Sequence, residues 1–281
     1  MEIFKKIAPL RAFLKEIKRS EKTIGLVPTM GALHNGHLAL IKASKTHNSL
    51  TFCSIYVNPT QFNNSLDLAK YPKTMVKDLD LLKTAGCDAV FCPETEEMYE
   101  QKSNLKFAFG PLDEVMEGKY RPGHFSGVAL VVSKLFNVIS PDKAYFGQKD
   151  WQQFAIIQQV VSELKFDLTL HSVPTLREPD GLAMSSRNLR LKGGFREKAT
   201  IFYKALLEAK ESLRQGADVG SVKKRVYELF EKTDDVTLEY FELAESKNLN
   251  VLEFVKGAEM PILCIAGYVG DVRLIDNMFL K

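Results

Sequence analysis

The run Pro28-Thr29-Met30-Gly31-Ala32-Leu33-His34-Asn35-Gly36-His37 holds the residues whose types and spacing point most directly to chemistry. It joins an apolar strand-like segment, residues 23–27, to a helix-like segment that starts near Leu38. Two histidines three apart lie one above the other on a first helical turn. That turn carries unpaired backbone N–H groups and the positive end of the helix dipole. Gly31 and Gly36 remove side chains where the phosphates of a ligand would approach the backbone. Strand, glycine turn, paired histidines and helix N-terminus together describe a place to hold and polarise a nucleoside triphosphate. An isolated H-x-G-H also fits an ordinary strand-to-helix turn with surface histidines, and a short motif alone does not separate the two.

Other segments carry compatible chemistry. His34 and His37 can donate hydrogen bonds to phosphate oxygens as charge builds on the α-phosphoryl group. Lys149, in Gly147-Gln148-Lys149-Asp150, supplies a compact positive charge for the same phosphates. Asp150 can accept a ribose hydroxyl, help position Mg²⁺, or cap the helix that begins near Trp151. Met184-Ser185-Ser186-Arg187 offers two hydroxyls and a guanidinium fork. Its neighbours Glu178-Pro179-Asp180-Gly181 mark a turn. Gln61 and Gln153 have amides suited to a small polyhydroxy acid, although a lone glutamine is usually just solvated. His124, in a loop before an apolar helix, reads first as structural support.

These segments need a scaffold. Strand patterns at 23–27, 50–56, 88–91, 143–146 and 168–173 alternate with helix patterns at 38–46, 74–85, 125–138 and 151–164. Such alternation implies a parallel sheet covered on both faces, hence an α/β fold. Ligands bind beyond the carboxyl ends of strands in these sheets. The turn after 23–27, the loop after 143–146 and the loop after 168–173 all fall on that side and are expected to converge. After about Arg190 the pattern changes. A helical stretch opens at Gly193-Gly194 and runs to Leu213, a second helix covers 219–232, and strands follow at 236–243, 262–268 and 272–278. The expected division is 1–176, a Rossmann-like domain, and 177–281, a smaller α+β domain. The Ser185–Arg187 loop at the junction would close over bound nucleotide.

Composition bounds the function class. The chain has 281 residues, 45% hydrophobic and 26% charged, with a formal charge of +3. That balance suits a globular enzyme and lacks the concentrated basic face of a nucleic-acid binder. No stretch approaches the roughly 18 apolar residues of a membrane span. Cys53, Cys87, Cys92 and Cys264 form no C-x-x-C pair and lack metal-ligand spacing. Buried free thiols, a reducing compartment and a cytoplasmic location are expected, with no metal ligands assigned from the protein.

Taken together, VPTMGALHNGH, YVNPTQF, DLAKYPKT, GKYRPGHFSGV, KLFNVISPDKAYFGQKDWQQ and REPDGLAMSSRN are recognisable in order and spacing. The chain resembles the pantothenate synthetase (pantoate–beta-alanine ligase) family from about Gly25 to Leu191. The resemblance implies a Rossmann-like nucleotidyltransferase domain with a lid-like second domain, and a homodimer through the first. It implies ATP as substrate, with Mg²⁺ bound to it. Pantoate's carboxylate would attack the α-phosphorus to give pantoyl adenylate and pyrophosphate. The amine of beta-alanine would then release AMP and form pantothenate.

Carried over residue by residue, Met30, Gly31, Ala32, Leu33, His34, Asn35, Gly36 and His37 fall in the ATP site. His37 becomes the catalytic histidine, with His34 and Lys149 beside it on the phosphates. Gly147, Gln148, Lys149 and Asp150 match a second nucleotide segment; Met184, Ser185, Ser186 and Arg187 match a third. Gln61 and Gln153 match the pair that holds pantoate, Gln61 also lying near the beta-alanine position. Asn58 and His124 match further site positions. Leu176 stands where the family commonly has a valine that meets the nucleotide through its backbone. Leu66-Asp67 replaces a frequent Glu-Asp, and Lys73 a frequent arginine; both lie away from the matched catalytic positions. A simple adenylyltransferase would share H-x-G-H but has no reason to match YVNPTQF or DKAYFGQKDWQQ. An RNA-interaction module of the class I synthetase type would need a basic surface or an anticodon-binding domain, for which length and charge leave little room.

Overall fold

The structure is a computed structural model that describes residues 1–281. Six strands form its first sheet: β1 (Glu2–Phe4), β2 (Ile24–Thr29), β3 (Leu50–Ile55), β4 (Ala89–Phe91), β5 (Lys143–Gly147) and β6 (Thr169–Val173). They lie in the order β1-β4-β3-β2-β5-β6, every pair parallel. Residues pointing either way along β2 and β3 are almost all buried, as a sheet covered on both faces requires. On one face Leu40, Ile41 and Leu82 cluster with Val27, Cys53 and Val90.

Strand order reverses between β2 and β5, the switch point where open α/β sheets bind ligands. β2 pairs with β3 over six positions but with β5 only at Gly25↔Lys143 and Leu26↔Ala144. Beyond them Pro28 has no N–H to extend the ladder. The chain therefore leaves β2 through Met30 and leaves β5 through Gly147 and Gln148 on the same edge of the sheet.

Besides the short helices Ser65–Ala69, Thr95–Met98 and Met116–Tyr120, two elements were absent from the sequence expectations. The helix Ile7–Arg19 buries Leu10, Leu14 and Ile17, an i, i+4, i+7 stripe among charges. β1, only three residues long, pairs with β4. The other strands and long helices begin and end within about two or three residues of expectation, the usual uncertainty of element ends.

The second sheet is antiparallel, β7 (Val236–Glu245), β8 (Pro261–Val269) and β9 (Val272–Phe279), in that order. The helices Ile201–Arg214 and Val219–Glu231 pack Phe202, Leu206, Val222 and Phe230 against Phe241, Leu263 and Ile265. The single helix expected after Gly194 is two, Phe195–Lys198 and Ile201–Arg214. Between them Thr200 Oγ1 donates to the Glu197 carbonyl at 2.7 Å, a local bond that competes with helix continuation.

The chain divides into two compact units. The first comprises residues 1–109, 121–148 and 156–174; the second comprises 110–120, 149–155 and 175–281. Two short segments thus join the second unit ahead of residue 176, for identifiable reasons. Arg273 forks onto Glu117 at 2.6 and 2.8 Å and donates to Glu239 at 2.7 Å. Gln152 donates to the Leu112 and Val115 carbonyls. Trp151 Nε1 donates to the Ser246 carbonyl at 2.8 Å, and its ring meets Phe279 edge-on.

The four cysteines are free and buried, as the sequence implied. Burial pushes Cys87 up to about 12 and Cys92 up to about 11. It likewise raises Cys53 and Cys264 far above the usual thiol value. Because the thiolate is the reactive form, none of the four should react with Ellman's reagent in the folded protein near neutral pH, and all four should react in guanidinium. A thiol that titrates at the free-cysteine rate without denaturant would contradict this burial.

Candidate active site

At the end of β2 the backbone enters a left-handed turn, with φ of +82° at Gly31 and +49° at Ala32. Glycine adopts such angles freely; alanine does not. The turn is held from outside. Asp78, on the helix Met75–Thr84 and 1% exposed, accepts the Ala32 N–H at 2.9 Å and the Leu33 N–H at 2.8 Å. Thr29 Oγ1 accepts the Gly31 N–H at 3.2 Å and donates to the Ser54 carbonyl. Asp78 was not among the sequence candidates. Its signal is distant, since a charged residue on a helix ordinarily reads as solvated.

The helix Asn35–His47 starts three residues before the expected Leu38. His34 is its N-cap and His37 its third residue, and together they form a capping box. His34 Nδ1 accepts the Gly36 N–H at 3.1 Å, and His37 Nδ1 accepts the His34 N–H at 3.3 Å. The rings lie 4.1 Å apart. Since each Nδ1 accepts from backbone, the proton of each neutral ring sits on Nε2. The cap thereby sets both imidazoles as Nε2–H donors.

Gln61 closes a short 3₁₀ turn, Pro59–Gln61, and is buried. Asn58 Nδ2 donates to Gln61 Oε1 and to the Gly127 carbonyl, each at 3.1 Å. Asn58 Oδ1 accepts from Tyr99 and Thr60 hydroxyls. Gln61 Nε2 reaches Met30 Sδ at 3.1 Å, so two separate sequence candidates meet. A Cβ at Gly127 would lie 2.3 Å from the Thr60 carbonyl, which explains the glycine in the helix His124–Ile139. His124 begins the helix His124–Ile139. Its Nδ1 lies 2.8 Å from the Gln61 carbonyl, an acceptor only, so Nδ1 donates and Nε2 accepts from Arg121 Nη1 at 3.1 Å.

In the second unit, one cavity is lined by Lys149, Ser185, Arg187, Asn188, Arg273 and Asp276. Lys149 and Arg187 beside this hollow suit an anionic ligand, whereas Arg273 is already paired with Glu117 and Glu239 and Asp276 with Arg177. Lys149 Nζ is 3.6 Å from Asp150 Oδ1, and the Lys149 carbonyl accepts from Asn277 Nδ2 at 2.7 Å. Asp150 ends a 3₁₀ turn, Gln148–Asp150, that runs into the helix Trp151–Glu163; Gln153 is half-buried on its first turn. Ser185 caps a further 3₁₀ turn, Ser186–Arg190, by accepting the Arg187 N–H. Residues 176–184 fold back on themselves. Met184 N–H donates to the Leu176 carbonyl, and Arg177 bridges Ala183. Arg177 holds Asp276 bidentately at 2.6 and 3.0 Å. Burial pushes the Asp276 carboxyl above its usual range, against the opposing pull of Arg177.

Comparison with known proteins agrees with the site's chemistry. The family description pantoate-beta-alanine ligase matches residues 2–279. The pantothenate synthetase of Cytophaga hutchinsonii is 45% identical over 273 residues, covering 97% of this chain and 96% of that protein. That of Carboxydothermus hydrogenoformans is also 45% identical, covering 100% and 99%. The crystal structure of pantothenate synthetase from Thermus thermophilus superposes with a TM-score of 0.93 at 38% identity, over the whole of both chains. The pantoate-beta-alanine ligase of Francisella tularensis, complexed with beta-gamma ATP and beta-alanine, gives a TM-score of 0.83 at 33% identity, covering 100% and 98%. This chain belongs to the pantoate-beta-alanine ligase family.

Proposed function

We propose that this chain condenses (R)-pantoate with beta-alanine in two ATP-dependent half-reactions. In the first, a pantoate carboxylate oxygen bonds to the α-phosphorus of ATP and pyrophosphate leaves. In the second, the beta-alanine amine bonds to the acyl carbon, AMP leaves and the amine loses a proton. A carboxylate and an amine do not condense in water, so the mixed anhydride supplies the leaving group and the site must keep water from it. The observation that carries this proposal is the capping box of His34 and His37. It presents two Nε2–H donors at a helix N-terminus on the ligand edge of the sheet.

The roles assigned to residues follow from their chemistry. His37 and His34 stabilise charge on the phosphate oxygens as pyrophosphate departs. Met30 to His37, with Gly147 and Gln148, present backbone to the nucleotide. Lys149, Ser185, Ser186 and Arg187 grip phosphate, and Asp150 and the Leu176 backbone meet the nucleoside. Gln61 and Gln153 hold pantoate, with Asn58 orienting the Gln61 amide. Mg²⁺ enters on the phosphates of the nucleotide, as part of the substrate. The enzyme works as a homodimer through its first unit, and its four free buried thiols suit a reducing cytoplasm.

The test is ATP–pyrophosphate exchange with purified protein, Mg²⁺ and (R)-pantoate, followed by addition of beta-alanine. Pantoate-dependent exchange, then AMP and pantothenate, is expected. A folded, ATP-binding protein that shows no exchange with pantoate would reassign the acid substrate. Within the same assay, Gln153→Ala should raise the KM for pantoate about tenfold or more, the usual cost of a hydrogen bond to a charged group. The KM for ATP should move far less; the opposite pattern would overturn the assignment of Gln153 to the acid.

A further inference from the structure

We infer that Asp78 is a positioning residue for adenylation, holding the turn before His34 in the conformation that sets both histidines as Nε2–H donors. The inference rests on the role proposed above for His34 and His37. Asp78 acts through the backbone. Its Oδ2 takes the Ala32 N–H, and its Oδ1 takes the Leu33 N–H and the Thr74 hydroxyl at 3.1 Å. The carboxylate thus binds two consecutive backbone amides and one neutral hydroxyl. Charge-assisted bonds to amides are about twice as strong as neutral ones. They are spent here on a single left-handed alanine, φ +49°, two residues before the N-cap.

Electrostatics argue that the placement serves geometry. A buried carboxylate close to a turn meant for a triphosphate repels the ligand. A structure that keeps it there gains something else, and the bonds name it. Asp78 fixes the Ala32 and Leu33 amide planes and so the direction in which the chain enters His34. There is no slack, because a Cβ on Gly31 would already lie 3.1 Å from Asp78 Oδ2. The capping box depends on that entry direction. His34 must accept the Gly36 N–H with its side chain while its own N–H donates to His37. If the turn rotates, both Nδ1 acceptors lose their donors and the tautomers are no longer set. A misplacement of about 1 Å at a reacting centre costs about 10²-fold in rate.

The experiment compares wild type with Asp78→Asn and Thr74→Val. Asparagine keeps the size of Asp78 but turns an NH₂ group toward one of the two amides, leaving that N–H without an acceptor. Two measurements are made on each protein. One is kcat and the pantoate KM in ATP–pyrophosphate exchange; the other is the imidazole ¹⁵N pattern of His34 and His37, which reads tautomers without substrate. For D78N the exchange kcat should fall about 10²-fold, with the pantoate KM changed by less than about threefold. The ¹⁵N signals should pass from the Nε2–H pattern to a mixture. T74V removes one of three donors and should move both measurements in the same direction, the rate by about threefold to tenfold. Folded D78N with wild-type rate, or with a lowered rate and unaltered histidine signals, overturns the inference. If D78N does not fold, T74V with unchanged rate and signals overturns it equally. Absence of pantoate-dependent exchange in wild type would instead strike the proposed substrate, and the ¹⁵N arm would still decide whether Asp78 sets the histidines.

Discussion

His37→Ala should slow formation of pantoyl adenylate by about 10²–10³-fold, the cost of losing one preorganised donor to developing charge. The ring has two jobs, and the variant removes both. Its Nε2–H is assigned to the phosphates, and its Nδ1 accepts the His34 N–H. Losing a cap contact costs about 1 kcal/mol of stability, too little to explain a rate loss of that size through unfolding. His37→Gln separates the jobs, because glutamine at the third helical position can still close a capping box. Its amide NH₂ is less acidic than an imidazole Nε2–H and so a weaker donor to developing charge. H37Q should therefore recover stability while adenylation stays slow. Single-turnover assays of adenylate formation are the deciding measurement, with aminolysis of preformed adenylate as the comparison. An adenylation rate unchanged in H37A would remove His37 from the mechanism. A full recovery in H37Q would show that the cap, not the donor, sets the rate.

The capping box also marks how far the sequence could be read. The strands β2 to β9 and the H-x-G-H turn were legible because their signals are local: apolar runs, glycines and two histidines three apart. The start of the helix was not. Helices are recognised by Ser, Thr, Asp or Asn at the cap, and His34 takes that place here, so the first apolar residue, Leu38, looked like the beginning. Leu10, Leu14 and Ile17 did carry helical spacing, but the surrounding lysines and arginines hid a helix that buries only three side chains. Asp78 lies on a helix whose pattern, Lys77-Asp78-Leu79-Asp80, gives no hint that one carboxylate points inward. Its two backbone partners are 45 and 46 residues away. The same limit governs the assembly of the second unit. Glu117 and Arg273 are 156 residues apart, and no short-range pattern pairs a glutamate on the short helix Met116–Tyr120 with an arginine on the last strand. What chemistry places close in sequence was readable; what packing places close in space was not.

That pairing carries the largest expected effect on stability. Arg273→Met should destabilise the fold by about 3–5 kcal/mol, the cost of stripping one partner from a buried ion pair. The side chains of Arg273, Glu117 and Glu239 are 13%, 8% and 15% exposed, so water screens the cluster poorly. Burial alone would lower the Arg273 guanidinium pKa. The bonds and charge of Glu117, then of Glu239, outweigh it and hold the group above its ordinary value. Tyr240, whose hydroxyl donates to Glu117 Oε1 at 3.0 Å, is pushed far up by burial first and by the Glu117 charge second. Without Arg273, two carboxylates would share this pocket with a neutral phenol. Desolvation with no cation beside it favours the protonated form of a carboxylate and raises its pKa. A group raised in this way contributes its stability at low pH and loses it as pH rises through the folded value. R273M should accordingly be least stable near pH 8 and recover part of its deficit toward pH 5, where the buried glutamates take up protons. Adding Glu117→Gln to R273M should restore stability at neutral pH, because it removes a charge that no longer has a partner. Guanidinium titrations of the single and double variants across that pH range provide the measurement. If R273M lies within about 1 kcal/mol of wild type at every pH, the cluster is no more than a surface pair in energy, and the hold on residues 110–120 must come from Gln152 and the apolar contacts around it.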